Sequence, residues 1–94
     1  MRIVSFRHKD LERFWRRDEA RGLVRQHESK LRAMLTALEE VENTAELASI
    51  SGWRLHSLKG DRKGTWTLSI TRNYRLTFRV DEGLISDINI EDYH

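Results

Sequence analysis

The chain has 94 residues, with three Trp, three Phe and two Tyr but no cysteine and no proline. That length supports one hydrophobic core, so a single domain over 1–94 is expected. The missing thiols exclude disulfides, thiolate zinc sites and cysteine nucleophiles. Net charge is only +2, yet it is blocked along the chain: +5 over residues 1–32, −4 over 33–51, +6 over 52–80 and −5 over 81–94. The basic block 52–80 also holds Trp53, Trp66 and Tyr74. Basic residues interleaved with aromatics point to a phosphate-bearing partner, against the competing reading of an ordinary solvated sheet face. No apolar run nears the roughly 18 residues of a membrane span and no leader pattern opens the sequence. Without disulfides or a leader, a cytoplasmic location is expected.

In chain order, IVSF at 3–6 reads as a short strand, β-branched and aromatic. DLERFWRRDEARGL follows with Leu11, Phe14 and Trp15 at helical spacing, and Gly22 is the expected helix stop. The second helix is the clearest element: Leu31, Met34, Leu35, Leu38 and Val41 recur at three- and four-residue steps, with Asn43 as its stop. TAEL at 44–47 predicts one further turn capped by Thr44. From residue 53 the period becomes two. Trp66, Leu68 and Ile70 alternate with Thr65, Thr67, Ser69 and Thr71; Tyr74, Leu76, Phe78 and Val80 alternate with Arg75, Thr77 and Arg79. TRNY between these runs predicts a tight hairpin with Asn73 at positive φ. KGDRKG at 59–64 is a loop. DEG at 81–83 is a second turn with Gly83 in the left-handed position, and LISDINI at 84–90 is the last strand with Ile88 and Ile90 inward. The order gives an α+β domain: an N-terminal strand and two helices packed on a mostly antiparallel sheet of four or five strands.

The polar side of these strands collects Arg54, His56, Lys59, Arg75 and Arg79, to which the end of the last strand is expected to deliver the tail EDYH at 91–94. Residues i and i+2 share a strand face, so Arg54 is expected beside His56 and Arg75 beside Arg79. Such a set suits RNA cleavage. A base takes the 2′-hydroxyl proton, cations steady the pentacoordinate phosphorane, and an acid protonates the leaving 5′-oxygen. The nucleophile lies within the substrate, so this chemistry calls for no cofactor or metal. From spacing alone the competing readings stay open: His56 as a structural hydrogen-bonder, His94 as a chain end, or the two as metal ligands lacking further ligands at a recognisable spacing. His8 and His27 receive no role.

Read whole, the chain resembles the HigB family of RelE-like bacterial toxins, the plasmid-maintenance killer proteins. The opening IVSFRHKDLERFW is similar to the family's start. WRLHSLKGDRKGTWTLSITRNYRLTFRV at 53–80 parallels its leucine-histidine-x-leucine-lysine-glycine segment, its Trp strand and its asparagine-aromatic-arginine strand. IEDYH resembles the family's usual ending, and Ser57 stands where Pro is common. The resemblance implies a RelE-like fold and a ribosome-dependent endoribonuclease that cuts mRNA in the ribosomal A site. His56 then matches an acid–base histidine, Lys59 and Arg75 match the phosphate cations, and Asp92, Tyr93 and His94 match a terminal catalytic cluster. Arg72 falls in a hairpin where the family varies.

The resemblance further implies a HigA-like helix-turn-helix antitoxin as partner, alongside the ribosome and mRNA. Arg13, Arg16, Arg17 and Arg21 are expected to anchor ribosomal RNA, with Arg13, Arg17 and Arg21 along one helix face if the helix reaches that far. Two other classes compete. One is a non-enzymatic relative that binds a protein target or persists only as an inactive, antitoxin-bound homologue; a toxin that acts by protein binding has no need of His56 and the DYH tail. The other is a DNA-binding module, for which no helix-turn-helix is recognisable here.

Overall fold

The computed structural model describes residues 1–92. They form β1 (Arg2–Ile3), α1 (Lys9–Arg17), α2 (Glu28–Glu40), β2 (His56–Ser57), β3 (Thr65–Ser69), β4 (Tyr74–Asp81) and β5 (Leu84–Asp92), with 3₁₀ turns at Arg25–His27, Thr44–Ser49 and Gly60–Arg62. One sheet runs β1-β5-β4-β3-β2. All its pairs are antiparallel except β1 with β5. This is the expected α+β architecture. Among the described residues no helix is long and apolar enough to cross a membrane.

The helices cover one face of the sheet. Leu11 and Phe14 of α1 and Leu31, Met34, Leu35 and Leu38 of α2 are fully buried against Leu68, Leu76, Phe78, Ile85 and Ile88. The stripe read in α2 is therefore its core face, and the alternation in β3 and β4 turns Leu68, Leu76 and Phe78 into the core, although Thr65, Thr67 and Thr77 on the other face are buried as well and Tyr74, expected inward, is exposed. Leu47, from the turn after α2, joins the same core.

Several local expectations are corrected. α1 ends at Arg17, because Asp18 takes a left-handed conformation (φ 57) and donates its N–H to Phe14 O at 3.0 Å. Gly22 thus lies outside the helix. Its φ of 89 is a left-handed conformation that favours glycine, and a Cβ there would press on the Asp10 carboxylate. Arg21 consequently does not continue the helix face of Arg13 and Arg17. Asn43 does not close α2; its side chain accepts from Glu46 N, and Glu46 answers with a reciprocal bond in a capping box, so Asn43 rather than Thr44 caps the following turn. The β3–β4 hairpin does not use Asn73 at positive φ. Thr71 Oγ1 accepts instead from Asn73 N and Tyr74 N at 3.1 and 3.2 Å. The turn at 81–83 has positive φ at both Glu82 and Gly83.

β5 carries a bulge. Thr77 pairs with Asn89 and Arg79 with Ser86, leaving one extra residue in β5, and Asp87 sits at φ 54. The extra residue lets Ile85 and Ile88, three apart, both face the core. The bulge also ends the expected 3–6 strand early. β1 stops at Ile3, Ser5 Oγ accepts from the freed Asp87 N at 3.0 Å, and Phe6 makes a separate bridge to Ile88.

Candidate active site

Register fixes what each strand shows on the side away from the helices. His56 lies opposite Thr67, Thr67 opposite Thr77, and Thr77 opposite Asn89. The next row is Ser69, Arg75 and Glu91. His56 and Arg75 therefore belong to one face on neighbouring rows, as the alternation predicts.

At the β2–β3 edge of this face lies a concavity of about 620 Å³ lined by Lys30, Gly52, Arg54, His56, Ser69, Thr71 and Arg72. It carries one lysine, two arginines and a histidine, and none of these lining residues is a carboxylate. Each cation arrives by a different route. Lys30 reaches over from α2 and donates Nζ–H to Ile70 O at 2.9 Å. Arg72 comes from the β3–β4 hairpin. Arg54 lies outside β2, so strand alternation does not place it. Its backbone turns through φ 51 after Gly52 at φ 84, while the intervening Trp53 O accepts from Ser69 N at 2.7 Å. Arg54 and His56 thus line the same cleft through backbone strain rather than through shared strand parity.

Beside the cleft, Glu91 draws two arginines together. Arg62 Nη1 and Nη2 donate to its Oε1 and Oε2 at 2.8 and 2.6 Å, Thr77 Oγ1 donates to Oε2 at 2.9 Å, and Arg75 Nη2 stands 3.6 Å from Oε1. The Arg62 hydrogen bonds, helped by Thr77 and by both positive charges, pull the Glu91 carboxyl down to about 2 against the opposing effect of burial. Arg62 is raised by the same pairing. Glu91 is thus fixed as an anion.

The other expected site residues are dispersed. Lys59 is exposed ahead of the Gly60–Arg62 turn and does not line the cleft. Arg79 turns to Thr65 Oγ1 at 3.4 Å. Asp92 pairs with Tyr74, on the opposite strand parity from Arg75 and Glu91. It lines a smaller recess of about 260 Å³ with His8, His27 and Tyr74, so the last strand does not bring Asp92 to His56. Tyr93 and His94 lie outside the described residues. Arg13 is paired with Asp10 at 2.9 Å and Arg16 with Glu12 at 3.1 Å; Arg17 and Arg21 are exposed.

Sequence reading gives no role to Lys30 or Arg62, and it places Glu91 in the polar set only as part of the tail EDYH, with no role of its own. Lys30 is hidden among the solvent positions of an amphipathic helix, and Arg62 sits in a loop whose path no periodicity predicts. Glu91 lies on the polar parity set by Ile88 and Ile90, but its meeting with Arg62 and Arg75 depends on strand register, which no residue announces.

Residues 4–94 match the family described as RelE-like toxin of type II toxin–antitoxin system HigB. The chain belongs to the HigB family of RelE-like toxins. Endoribonuclease HigB of Proteus vulgaris is 34% identical over 92 residues, spanning 98% of this chain and 99% of that one. Among solved structures, a YoeB/ParE toxin from Agrobacterium tumefaciens superimposes with a TM-score of 0.64 at 19% identity, covering 100% of both chains. A mutant form of YafQ from E. coli does so at 0.63 and 17%, covering 99% of this chain and 94% of that one. These two share the RelE-like fold with this HigB-family chain.

Proposed function

We propose that the protein is an endoribonuclease toxin that cuts mRNA in the ribosomal A site and is held in check by a HigA-like helix-turn-helix antitoxin. The observation that carries the reading is His56 in a cleft with Lys30, Arg54 and Arg72 and with no carboxylate among the described lining residues. A scissile phosphodiester is an anion that gains charge as the 2′-oxygen attacks, and fixed cations stabilise that change. Imidazole can move a proton near neutral pH. Arg75 borders the cleft through Ser69, its cross-strand partner, and supplies a planar fork suited to two phosphate oxygens. The Proteus relative, an endoribonuclease, supports RNA cleavage.

In this mechanism His56 transfers one of the two protons, and Arg54, Arg72, Arg75 and Lys30 hold the phosphate. Attack by the 2′-hydroxyl leaves a 2′,3′-cyclic phosphate and a free 5′-hydroxyl. The family resemblance adds Lys59, Asp92, Tyr93 and His94 to this set. Arg13, Arg16, Arg17 and Arg21, within the +5 block, would serve as ribosomal RNA contacts. An antitoxin complex exists for a toxin of the same fold, YoeB–YefM from Staphylococcus aureus, with a TM-score of 0.57.

The test is cleavage of one mRNA, free and on programmed ribosomes, with the cut mapped. Cleavage in the A-site codon by wild type and not by His56→Ala is expected, with co-expressed antitoxin suppressing it. Equal cleavage of free mRNA removes the ribosome from the reading; full activity of His56→Ala removes the site.

A further inference from the structure

The row of the sheet that starts at His56 runs on across the open face. His56, Thr67, Thr77 and Asn89 stand opposite one another on β2, β3, β4 and β5. Three strand spacings of about 4.8 Å put Asn89 roughly 14 Å from His56. There Thr77 and Asn89 line a separate recess of about 210 Å³. Its charged lining is balanced, with Arg7, Arg62 and Arg79 against Asp61, Asp87 and Glu91. Arg62 and Glu91 pair with each other. The other four make no ion pair among the described residues, and their one side-chain hydrogen bond is the long contact from Arg79 to Thr65 Oγ1 at 3.4 Å.

The backbone gathers these four groups. Arg7 N donates to Ile88 O at 2.8 Å, the β5 bulge places Asp87 there at φ 54, and Asp61 sits in the Gly60–Arg62 turn. Arg79 lies against Gly64, where φ is 94 and a Cβ would fall 3.1 Å from Nη2 and 3.7 Å from Cζ. A loop backbone, not a carboxylate, thus holds this fork. A phosphate gains little here, because the Asp61 and Asp87 carboxylates offset the Arg7 and Arg79 guanidinia. An apolar ligand would leave all four groups unsatisfied. The match is a flat group with acceptors on one edge and donors on another. Among the four bases guanine alone presents both: N7 and O6 to an arginine fork, N1–H and N2–H to a carboxylate.

We propose that this recess is a second RNA subsite, which takes a guanine base of the strand cut at His56. This rests on the reading of the cleft as the place of cleavage. Arg79 takes the N7 and O6 edge, and the carboxylates of Asp61 and Asp87 take the N1–H and N2–H edge. The shared row gives one strand a single line from cleft to recess.

Binding is read on the full-length chain without cleavage. Followed by NMR, guanosine 5′-monophosphate should shift the Asn89 side-chain amide and the Arg79 Nε–H. Adenosine 5′-monophosphate, which offers neither edge, should shift only signals of the cleft, such as His56. Arg79→Met should weaken the guanine response at Asn89 about tenfold or more. Inosine 5′-monophosphate differs from the guanosine nucleotide only in lacking the N2 amino group. Wild type should bind it more weakly, whereas Asp61→Asn with Asp87→Asn should bind the two alike. Asparagine tolerates the left-handed backbone at 87, so this variant keeps the bulge if Arg79→Met fails to fold by thermal melting. On programmed ribosomes, single-turnover cleavage of mRNAs that differ only in where one guanine stands should be fastest for one position, and Arg79→Met should bring that ratio to about one.

A guanine response confined to the cleft, one that Arg79→Met leaves intact, or one that adenosine monophosphate matches at Asn89 overturns the proposal. So does an Asn89 signal that moves with tetra-arginine or tetra-aspartate and not with guanosine monophosphate, which makes the recess a protein contact. If the wild-type protein cleaves no RNA, the functional reading fails, while the titration still decides whether the recess takes guanine.

Discussion

Arg54 holds a left-handed backbone (φ 51) that costs a non-glycine residue on the order of 1–2 kcal/mol, and its side chain lines the cationic cleft. Strain kept at a phosphate-binding cleft separates stability from activity. Arg54→Gly is expected to leave the melting temperature unchanged or slightly raised while cleavage falls, measured by thermal unfolding and single-turnover assay on one preparation. Arg75 differs in geometry rather than strain. Arg75→Lys keeps the charge and loses the fork, so cleavage should drop; Arg75→Ala should cost more, about 2–4 kcal/mol of transition-state stabilisation. Glu91 governs acid stability. Its carboxyl is held at about 2 when folded against an ordinary 4.5, so its contribution is complete above about 4.5. It is lost progressively as pH falls towards about 2. At most it is worth about 3 kcal/mol. Glu91→Gln should flatten the acid limb of the stability curve between those two values, and an unchanged limb would show that Glu91 does not govern it.

At the scale of elements, legibility followed periodicity. The α2 stripe and the Leu68, Leu76 and Phe78 alternation were readable because burial forces one period on a whole segment. Ends and interruptions were not, since each depends on a single contact made elsewhere. Asp18 stops α1 before Gly22, and the β5 bulge at Asp87 is filled by Ser5, 82 residues away in sequence. The same limit applied to the site. His56 and Arg75 share the polar face of the sheet, as the alternation expects, whereas Asp92 lies on the opposite parity, a placement that follows from the same parity that points Arg75 outward. His8, given no role from sequence, caps α1 by accepting from Leu11 N at 3.1 Å. His8→Ala should therefore destabilise the fold by about 1 kcal/mol, read by denaturant unfolding. A value near zero would mean that water replaces the cap.

For the whole molecule, the charge blocks translate into two unlike cationic regions. The +6 block of residues 52–80 places Arg54 and Arg72 at the cleft, joined there by Lys30 from the N-terminal block. In that N-terminal block, Arg13 and Arg16 are engaged with Asp10 and Glu12, and Arg13 also lies 4.0 Å from Glu19. Arg17 and Arg21 stand exposed nearby. Phosphate contacts release counterions, so each one lost reduces the salt dependence of binding by roughly 0.7–0.9 in logarithmic slope. Reversing Arg17 and Arg21 to Glu should thus weaken ribosome binding and flatten its salt slope by up to about twice that amount, with little change in melting temperature. Reversing Arg13 should instead lower stability, because the new carboxylate would face Asp10 and Glu19. Ribosome binding at two salt concentrations, beside thermal melts of each variant, checks both halves. If Arg17→Glu with Arg21→Glu keeps the wild-type affinity and slope, these two residues make no ribosomal contact, and RNA attraction rests on the cationic cleft and the chain's other basic residues.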